Sequence, residues 1–319
     1  MRLLEFFEND DYCLTNFMEN TPFYGIWSHT WGGAPGDEIT YEEMMDGTRR
    51  SMNEIDLGRL GFRKLQFCQQ RAAQEGLRYF WIDTCCINKQ DQSELSYALN
   101  SMFYWYKKAV RCYVYMSDVA YTMGGEPIST MKFENSQWFT RGWTLQELLA
   151  PASVIFYSQH GTNIGDKRLL AENIYQITKI PVKALRESSS LSTFSVDERF
   201  RWTDGRETTV PEDMAYCLLG IFGVWMTPVY ADGDREWLRS KAVKELKSKI
   251  ENEEVAEKFI VIGGASWSDL SALGDYRLQE LDREIRGYTS WLLQQGQPPT
   301  EESRADVNEC RPEDERTAW

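Results

Sequence analysis

The sequence predicts an α/β fold: a small doubly wound parallel sheet with additional helices and a helical C-terminal extension. Two observations lead there. Short apolar, β-rich runs alternate with segments of helical periodicity through residue 158. One of those runs, in "LRYFWIDTCCI", is continuously apolar, as suits a strand buried on both faces of a parallel sheet. Crossovers in such a sheet are right-handed.

The elements follow in order. "FYGIWSHTW" reads as a first strand that runs into polar residues and the Gly32-Gly33 loop. "RLGFRKLQFCQQRAAQEG" places Phe62, Leu65, Cys68 and Ala72 at helical spacing and ends at Gly76, a C-terminal stop. "LRYFWIDTCCI" is the second strand, ending at Asp83. "DQSELSYALNSMFYWYKKA" is the clearest helix. Asp91 and Glu94 form a capping-box pattern, Leu95, Leu99, Met102, Phe103 and Tyr106 form its apolar face, and Lys107 and Lys108 complement its dipole. "RCYVYMSDV" is a third strand, "RGWTLQELLAP" a helix stopped by proline, and "SVIFYS" a fourth strand. Beyond residue 160, "GDKRLLAENIYQI", "VPEDMAYCLLGIFGV" and "REWLRSKAVKELKSKIENEEVAEKFI" read as helical, and the Pro- and charge-rich stretch from 296 reads as disordered.

Composition narrows the function. The formal net charge of −14 repels phosphate backbones, which disfavours nucleic acid as a partner. No apolar run approaches the ~20 residues that cross a bilayer, and the N-terminus makes a poor signal peptide. The seven cysteines are scattered and odd in number, which points to reducing cytoplasm, not a disulfide framework. With two histidines and no CxxC, there is no zinc pattern and no metal is expected. Neither a dinucleotide-binding GxGxxG nor a P-loop is present.

Ligands of open α/β sheets bind beyond the carboxyl ends of the strands. Those ends offer Ser28, His29 and Trp31 after the first strand and Asp83, Cys85 and Cys86 after the second. On the helix after the third strand, Leu145, Leu148 and Leu149 cluster, whereas Trp143 lies nearly opposite them, with Glu147 about 40° from it. Two readings stand. Trp143 caps a second core while Glu147 pairs with a surface arginine such as Arg141, or that side of the helix faces a ligand. His29 also reads as a half-buried strand-end residue, Asp83 as a turn cap, and Cys85 and Cys86 as small buried hydrophobes.

Several segments together resemble the HET (heterokaryon-incompatibility) domain of fungal proteins: "YGIWSHTWGG", "LRYFWIDTCCINKQDQSELSYALNSMFYWYKKAVRCYVYMSDV", "WFTRGWTLQELLAP" and "VPEDMAYCLLGIFGV". The resemblance spans residues 1–233 and leaves 234–319 as an extension. It implies a TIR-like, flavodoxin-like sheet and a role in cell death when non-self is recognised. Many TIR domains cleave NAD with a glutamate in a W-x-x-x-E pattern after the third strand. Here that pattern is Trp143-Thr-Leu-Gln-Glu147. The loop "DTCCINKQDQS" departs from the TIR pattern, so ligand contacts there do not carry over.

The resemblance makes the chain an NAD glycohydrolase that uses NAD as substrate and needs no cofactor. Glu147 would be catalytic, with Trp143, Ser28, His29, Trp31, Asp83 and Cys85 lining the site. A homo-oligomer and a complex with a signalling partner protein would be its assemblies. The rival is a non-catalytic TIR-like module that signals by self-association. A thiol hydrolase using Cys86 and His29 lacks a third orienting group.

Overall fold

A computed structural model describes residues 1–7, 11–17, 20–30, 36–44, 50–51, 59–120, 133–186 and 188–262. The chain begins with a hairpin that the sequence reading did not assign: β1 (Arg2–Phe6) pairs antiparallel with β2 (Asp11–Asn16). Then come β3 (Tyr24–His29), the short helix α1 (Tyr41–Met44) and the two-residue β4 (Arg50–Ser51), which pairs with β2. Helix α2 (Leu60–Glu75) stops at Gly76, whose φ of 67° suits a residue without a side chain. The expected second strand is only β5 (Tyr79–Trp81). Its continuation folds into a helical turn, α3 (Asp83–Cys86).

Helix α4 (Gln92–Lys108) starts as expected at Asp91, which accepts from the amides of Ser93 and Glu94 at 2.9 and 3.2 Å. Glu94 does not close the capping box. It accepts from Arg2 at 2.7 Å and from the Asn88 amide at 2.8 Å, tying the helix start to β1. There follow β6 (Arg111–Met116), a 3-10 turn at Gln137–Thr140, α5 (Thr144–Leu149) and β7 (Val154–Ser158). "GDKRLLAENIYQI" is not a single helix. Its first residues end the edge strand β8 (Asn163–Asp166), and only Ala171–Thr178 form α6. The rest is helical: α7 (Val182–Arg186), α8 (Val196–Arg201), α9 (Asp213–Tyr216), α10 (Leu219–Phe222) and α11 (Arg235–Ile262).

One eight-stranded sheet runs β4-β2-β1-β5-β3-β6-β7-β8. Its centre, β5-β3-β6-β7, is parallel. These are the four expected strands, and their order is that of a flavodoxin-like doubly wound sheet. Antiparallel strands extend both edges: β1 joins β5, and β8 joins β7. Successive side chains of β3 serve opposite layers. Trp27 meets Phe67 of α2 at 5.1 Å between rings, whereas the Tyr24 hydroxyl donates to the Trp105 carbonyl of α4 at 2.6 Å. Of the later helices, α10 packs on α4, α7 on α5, and α11 on α9. In α11, Leu238, Ala242, Leu246 and Ile250 recur every four residues and are buried, so the extension packs its first turns on the domain. The expected disordered tail lies outside the described residues.

Candidate active site

The switch point of a doubly wound sheet opens where the chain turns from one side of its first parallel strand to the other. Here that point lies between β3 and β6. Ser28 and His29 close β3, and strand alternation sends their side chains to opposite layers. On the α5 side the Ser28 hydroxyl donates to Glu147 Oε2 and accepts from the Trp138 indole N–H at 2.8 Å. On the α2 side, His29 Nε2 lies 3.5 Å from Glu38, which also holds the buried Lys64 ammonium. Burial and the nearby Lys64 charge lower the His29 pKa, so the imidazole is neutral near pH 7. Burial alone would raise Glu38, but His29 and Lys64 hold it well below the usual carboxylate range.

Glu147 owes its place to α5, a six-residue helix whose every residue is buried. The two-sided wheel thus reflects two protein layers. The Thr144 hydroxyl donates to the carbonyls of Trp138 and Arg141 at 2.6 and 2.8 Å, fastening the helix to the preceding 3-10 turn. At its other end the buried Lys167 donates to the carbonyls of Leu148 and Pro151 at 3.0 and 2.6 Å, satisfying groups a helix end leaves open. The Glu147 residue is 7% exposed. Burial pushes its carboxyl up to about 8, with Asp83 adding to the rise and Ser28, Tyr106 and Arg206 opposing it. The expected surface partner Arg141 instead donates to Thr209 at 2.8 Å. Among the described residues no cation lies within ion-pair distance of Glu147.

Asp83 heads α3, 3.7 Å from Lys89, and its charge is felt at both Glu147 and His29. Trp143 is half-buried and donates its indole N–H to Asp213 at 3.0 Å, while Tyr230 donates to the same carboxylate at 2.8 Å. Burial raises the Asp213 pKa against these two hydrogen bonds, and Lys89 adds a favourable charge. Ser28 and Glu147 therefore touch, Asp83 stands beside them, and Trp143 belongs to a neighbouring group around Asp213.

Cys85 is fully buried. Its hydrogen bond with Cys86 and its burial push its thiol well above the usual range, so it packs the core and does not line a site. Cys86 is buried too and accepts from the Ile82 amide at 3.4 Å, while His29 is engaged with Glu38. Trp31 lies outside the described residues. A cavity between α6 and α8, bordered by Lys179, Glu198, Arg201 and Asp204, shares no residue with the Glu147 group.

Sequence reasoning missed four residues of this region. Trp138 sits in "WFTRGWTLQE" but ahead of the helix that drew attention. Tyr106 belongs to the apolar face of α4 by its spacing, yet its hydroxyl donates to the Trp27 carbonyl at 2.7 Å beside Glu147. Asp213 and Arg206 come from distant stretches that only the tertiary fold brings in.

The fold and this arrangement define a doubly wound α/β domain with a buried acid at its switch point. Residues 24–133 match the heterokaryon incompatibility protein (HET) family. The chain is also 44% identical, over 232 residues, to the vegetative incompatibility protein HET-E-1 of Podospora anserina. The chain belongs to the HET family. That alignment covers 72% of this chain but 16% of the relative, so the chain spans a small part of the relative's length. No solved structure matches the chain. Among the described residues no helix is long and apolar enough to cross a membrane.

Proposed function

We propose that this chain acts in fungal vegetative incompatibility as a TIR-like NAD glycohydrolase, with Glu147 as the catalytic carboxylate. The observation that carries the reading is a buried acid, oriented by Ser28, at the carboxyl ends of the parallel strands where such sheets take ligands. The C–N bond between ribose and nicotinamide breaks with its electron pair leaving on the nicotinamide, which departs neutral. The ribose becomes oxocarbenium-like, and water or another acceptor then adds to it. A carboxylate beside the ribose stabilises that cation. With its pKa raised to about 8 by burial, Glu147 holds a proton at pH 7. Arrival of the cationic pyridinium favours the ionised acid, so binding releases that proton. Trp143 offers an aromatic surface for the ring, and Asp83 borders the mouth. The test is incubation of the purified chain with NAD, with separation of nicotinamide and ADP-ribose or a cyclic product. No nicotinamide above the buffer control, across a range of protein concentrations, defeats the proposal.

A second reading, a non-catalytic module that signals by self-association, is favoured by one observation. Ser28, Trp138 and Glu147 form a closed chain of hydrogen bonds that bolts β3 to α5. Under that reading no NAD is consumed by the native protein or by Glu147→Gln.

A further inference from the structure

An indole N–H can only donate a hydrogen bond, and that of Trp138 goes to the Ser28 hydroxyl at 2.8 Å. A serine oxygen has one proton and two lone pairs. With a lone pair taken by Trp138, the Ser28 proton is directed at Glu147 Oε2. The other hydroxyl near the acid, that of Tyr106, donates to the Trp27 carbonyl at 2.7 Å. Donation therefore runs one way through three buried side chains, from Trp138 to Ser28 to Glu147. A hydroxyl that accepts a hydrogen bond donates a stronger one onward. Donation to a carboxylate favours its ionised form.

The direction of the indole is fixed from outside α5. Asp118, just past β6, accepts from the Ser136 hydroxyl and the Gln137 amide, both at 2.7 Å. Ser136 in turn accepts from the Trp138 amide at 3.3 Å and caps the 3-10 turn. Phe139 and Phe156 meet the indole edge to face, with ring centroids 5.2 and 5.5 Å away. We infer that Trp138 is a positioning residue for Glu147: its N–H sets the direction in which Ser28 donates and so favours the ionised acid. The inference rests on the NAD-cleavage reading for its purpose, but not for its measurement. Asp83 at the head of α3, Tyr106 of α4, Cys112 of β6 and Arg206 ahead of α9 also face that acid. Helix α7 packs on α5 with Ala184 and Leu185, while its Lys183 and Arg186 are exposed. Substitution of Trp138 leaves all of these in place.

The test follows the carboxyl carbon of Glu147 by NMR in the full chain labelled with 13C in glutamate, the signal being assigned by its loss in Glu147→Gln. Its midpoint near 8 in the native chain should rise in Trp138→Phe, which keeps an aromatic ring without the N–H. The expected rise is about half a unit, a roughly threefold loss of ionised acid at pH 7. Ser28→Ala should raise the midpoint too, and adding Trp138→Phe to Ser28→Ala should move it no further. An unmoved midpoint in folded Trp138→Phe, or a shift of the same size in the Ser28→Ala background, overturns the inference. A second measurement needs no change at Trp138. The indole N–H resonance, identified by its cross-peaks to the Phe139 and Phe156 rings, should step with the Glu147 midpoint in the native chain and not in Ser28→Ala. A missing step, or one that survives Ser28→Ala, overturns it equally. A raised midpoint in Trp138→Phe without NAD cleavage by the native chain upholds the role of Trp138 and removes the proposed reaction. Cleavage with an unmoved midpoint does the reverse.

Discussion

Glu147 combines two demands on one side chain, and their signs can be worked out separately. Its folded pKa of about 8 stands above the ordinary 4.5. Between those values the folded chain holds a proton that the unfolded chain has lost. The stability Glu147 permits is thus fully present below about 4.5 and falls as pH rises toward 8, by roughly 1.4 kcal/mol per unit at most. Glu147→Gln removes that slope. Melting curves of both proteins from pH 5 to 9 should converge in acid and separate in base, with the variant the more stable there. Catalysis runs the other way, because the proposed reaction uses the ionised acid. The kcat/KM for NAD should climb about tenfold per pH unit below 8 and level above it. In Glu147→Gln the rate should drop by about two orders of magnitude, as for other preorganised charges. A variant that cleaves NAD at the native rate removes Glu147 from the chemistry. Glu147 was legible because W-x-x-x-E is a local pattern. Trp138, Tyr106 and Arg206 were not, because each is brought to its surroundings by tertiary contacts that no local spacing encodes.

Helix α5 is six residues long, too short to hold its shape without tertiary support, so what fixes its ends fixes the acid. Lys167 bonds two carbonyls at its C-terminal end from a fully buried position. Lys167→Met leaves those carbonyls buried without donors, and each such loss costs about 1–3 kcal/mol. Urea denaturation should therefore show a loss of a few kcal/mol. A change under about 0.5 kcal/mol would mean that water reaches the carbonyls. Gly220 marks another close approach. A Cβ there would overlap the Phe103 side chain, so Gly220→Ala should force α10 away from α4 and lower the melting temperature. The four parallel strands were legible because continuous apolar runs of β-rich residues admit few other placements. The edge strands were not. "MRLLEF" is too short to show a period and pairs with strands met later in the chain, and "NIGD" has no apolar alternation at all. The second strand stops at Trp81, short of the expected Asp83, because Asp83–Cys86 form a helical turn closed by local backbone hydrogen bonds such as Cys86 N–H to the Ile82 carbonyl at 2.9 Å.

At the scale of the molecule, the HET domain and its extension share buried surface. Leu238, Leu246 and Ile250 of α11 are each worth about 1.5–3 kcal/mol when fully buried. A chain cut after Gly233 should lose several kcal/mol in urea, even though the resemblance to the family ends there. The charges make the remaining demand. The proposed substrate, NAD, would bring a pyrophosphate to a protein of net charge −14. Among the described residues, three cations of this region are already committed: Lys64 to Glu38, Lys89 to Asp83, and Arg206 to Thr144 and backbone carbonyls. An anion in this site gains most from cations brought by a second copy of the chain. Phe23, Leu169 and Trp237 are 82%, 74% and 58% exposed, giving the surface apolar groups that association can cover. If the copy completes the site, specific activity is second-order in chain at low concentration and saturates once assembly is complete. NAD cleavage measured over a dilution series, with light scattering at each point, should show activity per chain rising with mass. Activity that stays flat while the mass changes would place every group the reaction needs within one chain.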